Sequence, residues 1–150
     1  LESAEELQAK HLTFSENAQA ELATLTAAIQ EILALAEAAF TQNDVTIAAK
    51  VEPLEQVIDV LKEDMRTRHI LRMKQGHCSI EAGFVWSDLL TNLERTSDHC
   101  SNIAGCIIDA DQHNLSLHET LHAIRREDED FRRRFRSYAE KYQLPPLLSI

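Results

Sequence analysis

Four stretches of this 150-residue chain place apolar residues alternately three and four positions apart, a rhythm that leaves little choice of fold. From about Ser15 to Phe40 the series runs Ala18, Leu22, Leu25, Ile29, Ile32, Ala36 and Phe40. A second runs Ile47, Val51, Leu54, Ile58, Leu61 and Met65. The third, roughly Ile80 to Asp111, carries Trp86, Leu90, Leu93, Ser97, Cys100, Ala104 and Ile107. The last carries Leu117, Leu121, Ile124, Phe131, Phe135, Tyr138 and Tyr142, then stops at Pro145-Pro146. A 3.6-residue repeat gathers each series onto one helix face. Tight turns between strands demand glycine and proline, and the chain has three of each. The reading is an all-α fold, an antiparallel up-and-down bundle of four long helices over residues 13–150. Residues 1–12 are left as a linker or a fifth, short helix, and the 44% hydrophobic content suffices for a single core.

The breaks between series carry their own signals. After "TQND", Asn43 or Asp44 can cap the next helix. Pro53, inside the second series, has no N–H and leaves the carbonyl of Ala49 without its helical donor, which predicts a kink or a late restart. In "KQGHCS", Gly76 suits the close of one helix and Ser79 the cap of another.

A formal net charge of -10 repels nucleic acid and favours cations or basic partner surfaces. The arginine-dense "RREDEDFRRRFR" is locally compensated, with Asp128/Arg132, Glu129/Arg133 and Asp130/Arg134 as acid-before-base pairs on a solvated face. Cys78, Cys100 and Cys106 are odd in number and form no C-x-x-C, so a disulfide framework is not expected and a reducing compartment fits. No apolar run approaches the roughly 20 residues needed to span a bilayer, and no signal peptide is visible. Because the chain begins with Leu1, it is expected to be processed or cut from something longer, with a membrane part among what was removed.

"HETLH", His118 to His122, matches the H-E-x-x-H of zinc proteases. Ser116 and Glu119 form a capping box, which occupies the glutamate at a helix start. The two histidines fall beside the apolar seam on the side of Arg125, Glu129 and Arg132, and no third ligand follows at zincin spacing. The expectation is a solvent-facing histidine pair, not a protease.

Acidic pairs elsewhere are less ordinary. Glu94 and Asp98 stand one turn apart, about 6 Å along the axis, where like charges repel. Their face continues through the small residues Ser87, Thr91, Ser101 and Gly105. A second pair, Glu55 and Asp59, lies beside Leu54 and Ile58 with Glu52 one turn earlier. If the two seams pack together, these carboxylates converge and need protons, water or a hard cation such as magnesium, calcium, manganese or iron. The alternative is a solvated acidic flank.

The stretch from Val51 to Asp109, with "LERTSDHCSNIA" as its most specific element, resembles a PhoU domain, in particular the version at the C-terminus of bacterial sodium/phosphate cotransporter-type proteins. The resemblance covers about Ala18 to Asp109 well and the last helix loosely. It implies three-helix repeats, a role in phosphate sensing and transport control, and E(D)-x-x-x-D motifs that hold multinuclear metal, iron or zinc in some members. Those motifs fall on Glu55 with Asp59 and on Glu94 with Asp98, so these four residues are the expected ligands, of iron, zinc, magnesium or manganese. One repeat is present where two are common, which leaves a cluster incomplete or completed by a second subunit in a homodimer. Thr96 replaces the usual apolar residue.

Among remaining residues, His99 is offset about 100° from Asp98 and is a candidate hydrogen-bonding neighbour of the site. His69 is assigned to a helix end, where a cationic imidazole suits the dipole. Cys100 and Trp86 are assigned to the core. No nucleophile, base and orienting acid stand at recognisable spacing, so no enzymatic activity is expected. The resemblance implies a regulatory, metal-binding domain on the cytoplasmic side of the membrane, with the transmembrane transporter domain of the same chain as partner and no nucleic acid. A metal-free helical docking module and a di-metal carboxylate enzyme are the alternatives.

Overall fold

The computed structural model describes residues 1–113 and 117–147, and of residues 117–127 only the helical backbone path. All regular structure among them is α-helical: α1 (Glu2–Ala9), α2 (Glu16–Gln42), α3 (Val45–Ala48), α4 (Val51–Lys74), α5 (Ile80–Gln112) and α6 (Leu117–Lys141). The caps follow local chemistry. Ser15 accepts from the amide of Ala18 at 3.2 Å and Ser79 from that of Ala82 at 3.1 Å, which satisfies donors that the first turns of α2 and α5 leave free. Asn43 takes the left-handed conformation that closes α2, and Asp44 caps α3 through the amides of Thr46 and Ile47. Gly76 has φ of +75°, beyond the end of α4, as a terminator should.

Helices α2, α4 and α5 pack on one another and supply most of the core. Partners fix their directions. Arg72 near the end of α4 meets Glu21 near the start of α2, while Lys62 and Glu52 of α4 meet Glu94 and Ser101 of α5. Both pairs are therefore antiparallel. The second and third apolar series form the seam as read: Val51, Leu54, Ile58, Leu61, Met65, Trp86, Leu90, Cys100, Ala104 and Ile107 are all buried.

The first series departs at its end. Phe40 is 71% exposed and Ala39 is fully buried in its stead. Here α3 folds back onto α2, and a close crossing has room for the methyl of Ala39 but not for a phenyl ring. Phe40 lines a shallow apolar groove with Asn43, Ile103, Cys106, Ile107 and Ala110 instead. The membrane reading is also corrected in one respect: by length and composition alone α2 is apolar enough to cross a bilayer. Its buried positions, Ala28, Ile32 and Ala39 among them, pack within the bundle, which accounts for part of that composition.

The fourth helix joins the bundle through its C-terminal part. Phe135, Tyr138, Ala139 and Tyr142 pack against the core, and the Tyr142 hydroxyl donates to Glu31 of α2 at 2.6 Å. The expected pairs four apart on α6 do not form among the described residues. Arg133 pairs with Asp130 at 2.8 Å, three residues away, and Arg134 turns inward to the carbonyl of Ala49. Ser116, His118, Glu119 and His122, the capping box and histidine pair of "HETLH", lie outside the described residues and side chains.

Candidate functional site

The α4–α5 interface brings the sequence-predicted carboxylates together. In the antiparallel register Glu52 meets Ser101 and Lys62 meets Glu94, and Glu55 between them feels the charges of Glu52, Asp59 and Asp98. Lys62, three residues after Asp59, lies 3.1 Å from an Asp59 oxygen, 3.5 Å from Glu63 and in hydrogen-bond contact with Glu94 across the interface. Glu52 accepts from the Ser101 hydroxyl, and Arg66 stands 4.0 Å from the far oxygen of Glu94 and donates to Thr91 at 3.5 Å.

These residues are not equally buried. Lys62 is 5% exposed, whereas Glu55, Asp59 and Glu94 are half-buried and Asp98 and His99 are exposed. Burying an ammonium is costly unless carboxylates meet it, and here they do. Burial lowers the affinity of Lys62 for its proton, but hydrogen bonds to Glu94 and Asp59 outweigh it and hold the pKa above the ordinary 10.5. Glu55 has no hydrogen bond or ion pair among the described residues. Burial first, then the charges of Glu52, Asp59 and Asp98, push its pKa up to about 7 against the pull of Lys62.

Sequence reasoning thus placed Glu55, Asp59, Glu94 and Asp98 on one interface but missed Lys62, the cation among them. Its signal was present: a lysine next to the seam residue Leu61 and one turn after an aspartate. As a metal site the arrangement does not fit as it stands. Among the described residues no three His, Cys, Asp or Glu side chains surround a common point, and an ammonium already occupies the space between Asp59 and Glu94. His99 is exposed and makes no hydrogen bond to the cluster among those residues.

A second polar centre lies at the other end of the bundle. Glu21, 0% exposed, accepts from Arg72 at 3.0 and 3.1 Å and from Arg68 at 3.3 Å. Arg68 also holds Asp64 at 3.5 Å and the carbonyl of Pro145, which ties the C-terminal segment down. The Arg72 guanidinium lies 5.5 Å from the ring centre of Trp86. His69 stacks on the same indole at 5.2 Å, and Phe14 meets its edge at 4.9 Å. The assignment of His69 as a cationic helix-end residue is therefore corrected: it is 4% exposed, and burial, then Arg72, lower its pKa to about 4. Glu21, Arg68 and Arg72 were legible only as charges at seam spacing, four residues before Leu25 and three and seven after Met65.

An all-α bundle whose second and third long helices face each other through paired acidic motifs defines a narrow class of helical domain. Residues 22–107, more than half of the sequence, match the PhoU domain, and the chain belongs to that family. A relative from Thermotoga maritima, the phosphate-specific transport system accessory protein PhoU homolog 1, is 30% identical over 70 residues. That stretch is 47% of this chain and 30% of the length of the relative. No solved structure matches the chain.

Proposed function

We propose that this chain is a regulatory module in the control of phosphate transport, acting by docking a helical surface and not by catalysis. The match of residues 22–107 to the PhoU domain carries the reading, and "LERTSDHCSNIA" lies at the centre of α5 with Ser97 and Cys100 on the buried seam. The similar accessory protein of a phosphate-specific transport system supports the same process. In its finer form the module sits on the cytoplasmic side of a sodium/phosphate cotransporter-type protein, docked on the transmembrane domain of the same chain. That form rests on the likeness of Val51–Asp109 to such C-terminal domains.

Two states of the acidic interface are open to such a module. In one, a multivalent cation joins Glu55, Asp59, Glu94 and Asp98, supported by the unpartnered, half-buried Glu55 amid like charges. In the other, a metal-free docking module, Lys62 neutralises the interface itself, and its position between Asp59 and Glu94 favours this state. The regulatory reading is tested by in-frame deletion of residues 22–107 from the natural gene, followed by labelled-phosphate uptake in phosphate-rich and phosphate-poor medium. Loss of the difference between media is expected; uptake identical to the parent in both would refute the proposal.

A further inference from the structure

We infer that Lys62 is the resident counter-ion of the α4–α5 acidic interface, a tethered cation that takes the place of a metal and keeps multivalent ions out. The PhoU resemblance assigns Glu55, Asp59, Glu94 and Asp98 to metal, and the geometry disagrees in a specific way. Lys62 is buried, its ammonium reaches the first motif through Asp59 at 3.1 Å and the second through Glu94, and Glu63 stands at 3.5 Å. One side chain thus joins a carboxylate of α4 to a carboxylate of α5, the job that a bridging ion would do. It does so at no cost in translational entropy, because the cation is covalently part of the chain.

Lys62 also discriminates against ions. A divalent cation bridging Asp59 and Glu94 has to expel the ammonium from a site where two carboxylates satisfy it, and leave that charge buried without them or drive it to water. The register argues the same way: Arg66, one turn beyond, lies 4.0 Å from the other oxygen of Glu94, so both oxygens of that ligand face protein cations. The inference concerns how this interface balances its charge and does not depend on the regulatory reading; an uptake experiment reports on one and metal binding on the other.

The test uses the full 150-residue chain, purified without an affinity tag and stripped with chelator, and manganese chloride as probe. Wild type is expected to show no stoichiometric manganese binding by calorimetry and no shift of its thermal midpoint between chelator and manganese. Lys62→Gln is expected to melt lower in chelator and to gain manganese affinity by roughly ten-fold or more, with the midpoint rising on metal addition. Lys62→Arg retains the charge and is expected to behave as wild type; this keeps the inference testable should Lys62→Gln fail to fold. Tight manganese binding by wild type or by Lys62→Arg overturns the inference, as does a folded Lys62→Gln protein that gains no affinity.

Discussion

The guanidinium of Arg134 donates to the carbonyl oxygen of Ala49 at 3.4 Å, the acceptor that Pro53 leaves without a helical donor. Around this break the chain stays close to helical, since Ala49 and Lys50 both have right-handed backbone angles. Arg134 of α6 thus reaches a backbone carbonyl at the junction of α3 and α4.

Arg134→Met should therefore destabilise the chain by only about 0.5–1 kcal/mol, since the bond is long and its neighbours Phe135 and Tyr138 retain their packing. Pro53→Ala restores an N–H for Ala49 and should shrink the effect of Arg134→Met. A double-mutant cycle in urea measures this coupling, and strict additivity of the two changes would show that the two residues do not share the carbonyl.

How far the sequence speaks differs between these contacts. Seams, caps and the Pro53 break are local, set by spacing and by single residues such as Ser15, Ser79 and Gly76, and each was legible. Phe40 was not, because its exposure depends on α3 folding back, a tertiary event that the three-four rhythm does not encode. The acidic pairs were found because Glu55/Asp59 and Glu94/Asp98 stand one turn apart beside a seam. Their cation was missed because Lys62 reads as an ordinary helix-surface lysine until α5 brings Glu94 to it. Buried charge is the general blind spot: Glu21 and Arg72 are 51 residues apart, and neither is explicable without the other.

That pair sets a larger expectation. Glu21→Ala leaves the buried Arg72 without its carboxylate partner and Arg68 with the Asp64 carboxylate alone, a loss of about 3–5 kcal/mol. Adding Arg72→Met removes one stranded charge and should return part of the stability. Urea unfolding of the single and double variants measures both steps, and a double variant less stable than Glu21→Ala would contradict the charge argument.

Two titrating groups pull stability in opposite directions with pH. The His69 pKa is lowered to about 4 in the folded chain, so the unfolded chain binds the extra proton. Its contribution is complete above the unfolded value of about 6.5 and is lost as pH falls from there toward 4. Glu55, raised to about 7, binds its proton more tightly when folded, so its contribution is complete below the ordinary 4.5 and is lost as pH rises through 7. His69→Gln should flatten the acid side of the stability profile and Glu55→Gln the neutral side, as read from chemical denaturation at a series of pH values.

Gly105 offers the opposite sign of change. It lies inside α5, and a methyl group built on it meets nothing within 4 Å, in contrast to Gly83, whose added methyl would come within 2.6 Å of the Met73 sulfur. Glycine inside a helix forfeits backbone entropy without return where no close approach requires it. Gly105→Ala should stabilise the chain by about 0.5–1 kcal/mol, seen as a higher urea midpoint at unchanged slope. Gly83→Ala gains the same propensity but forces Met73 aside at the α4–α5 crossing, and its midpoint should fall below that of Gly105→Ala. A destabilised Gly105→Ala protein would show that the helix-propensity argument fails at that turn of α5.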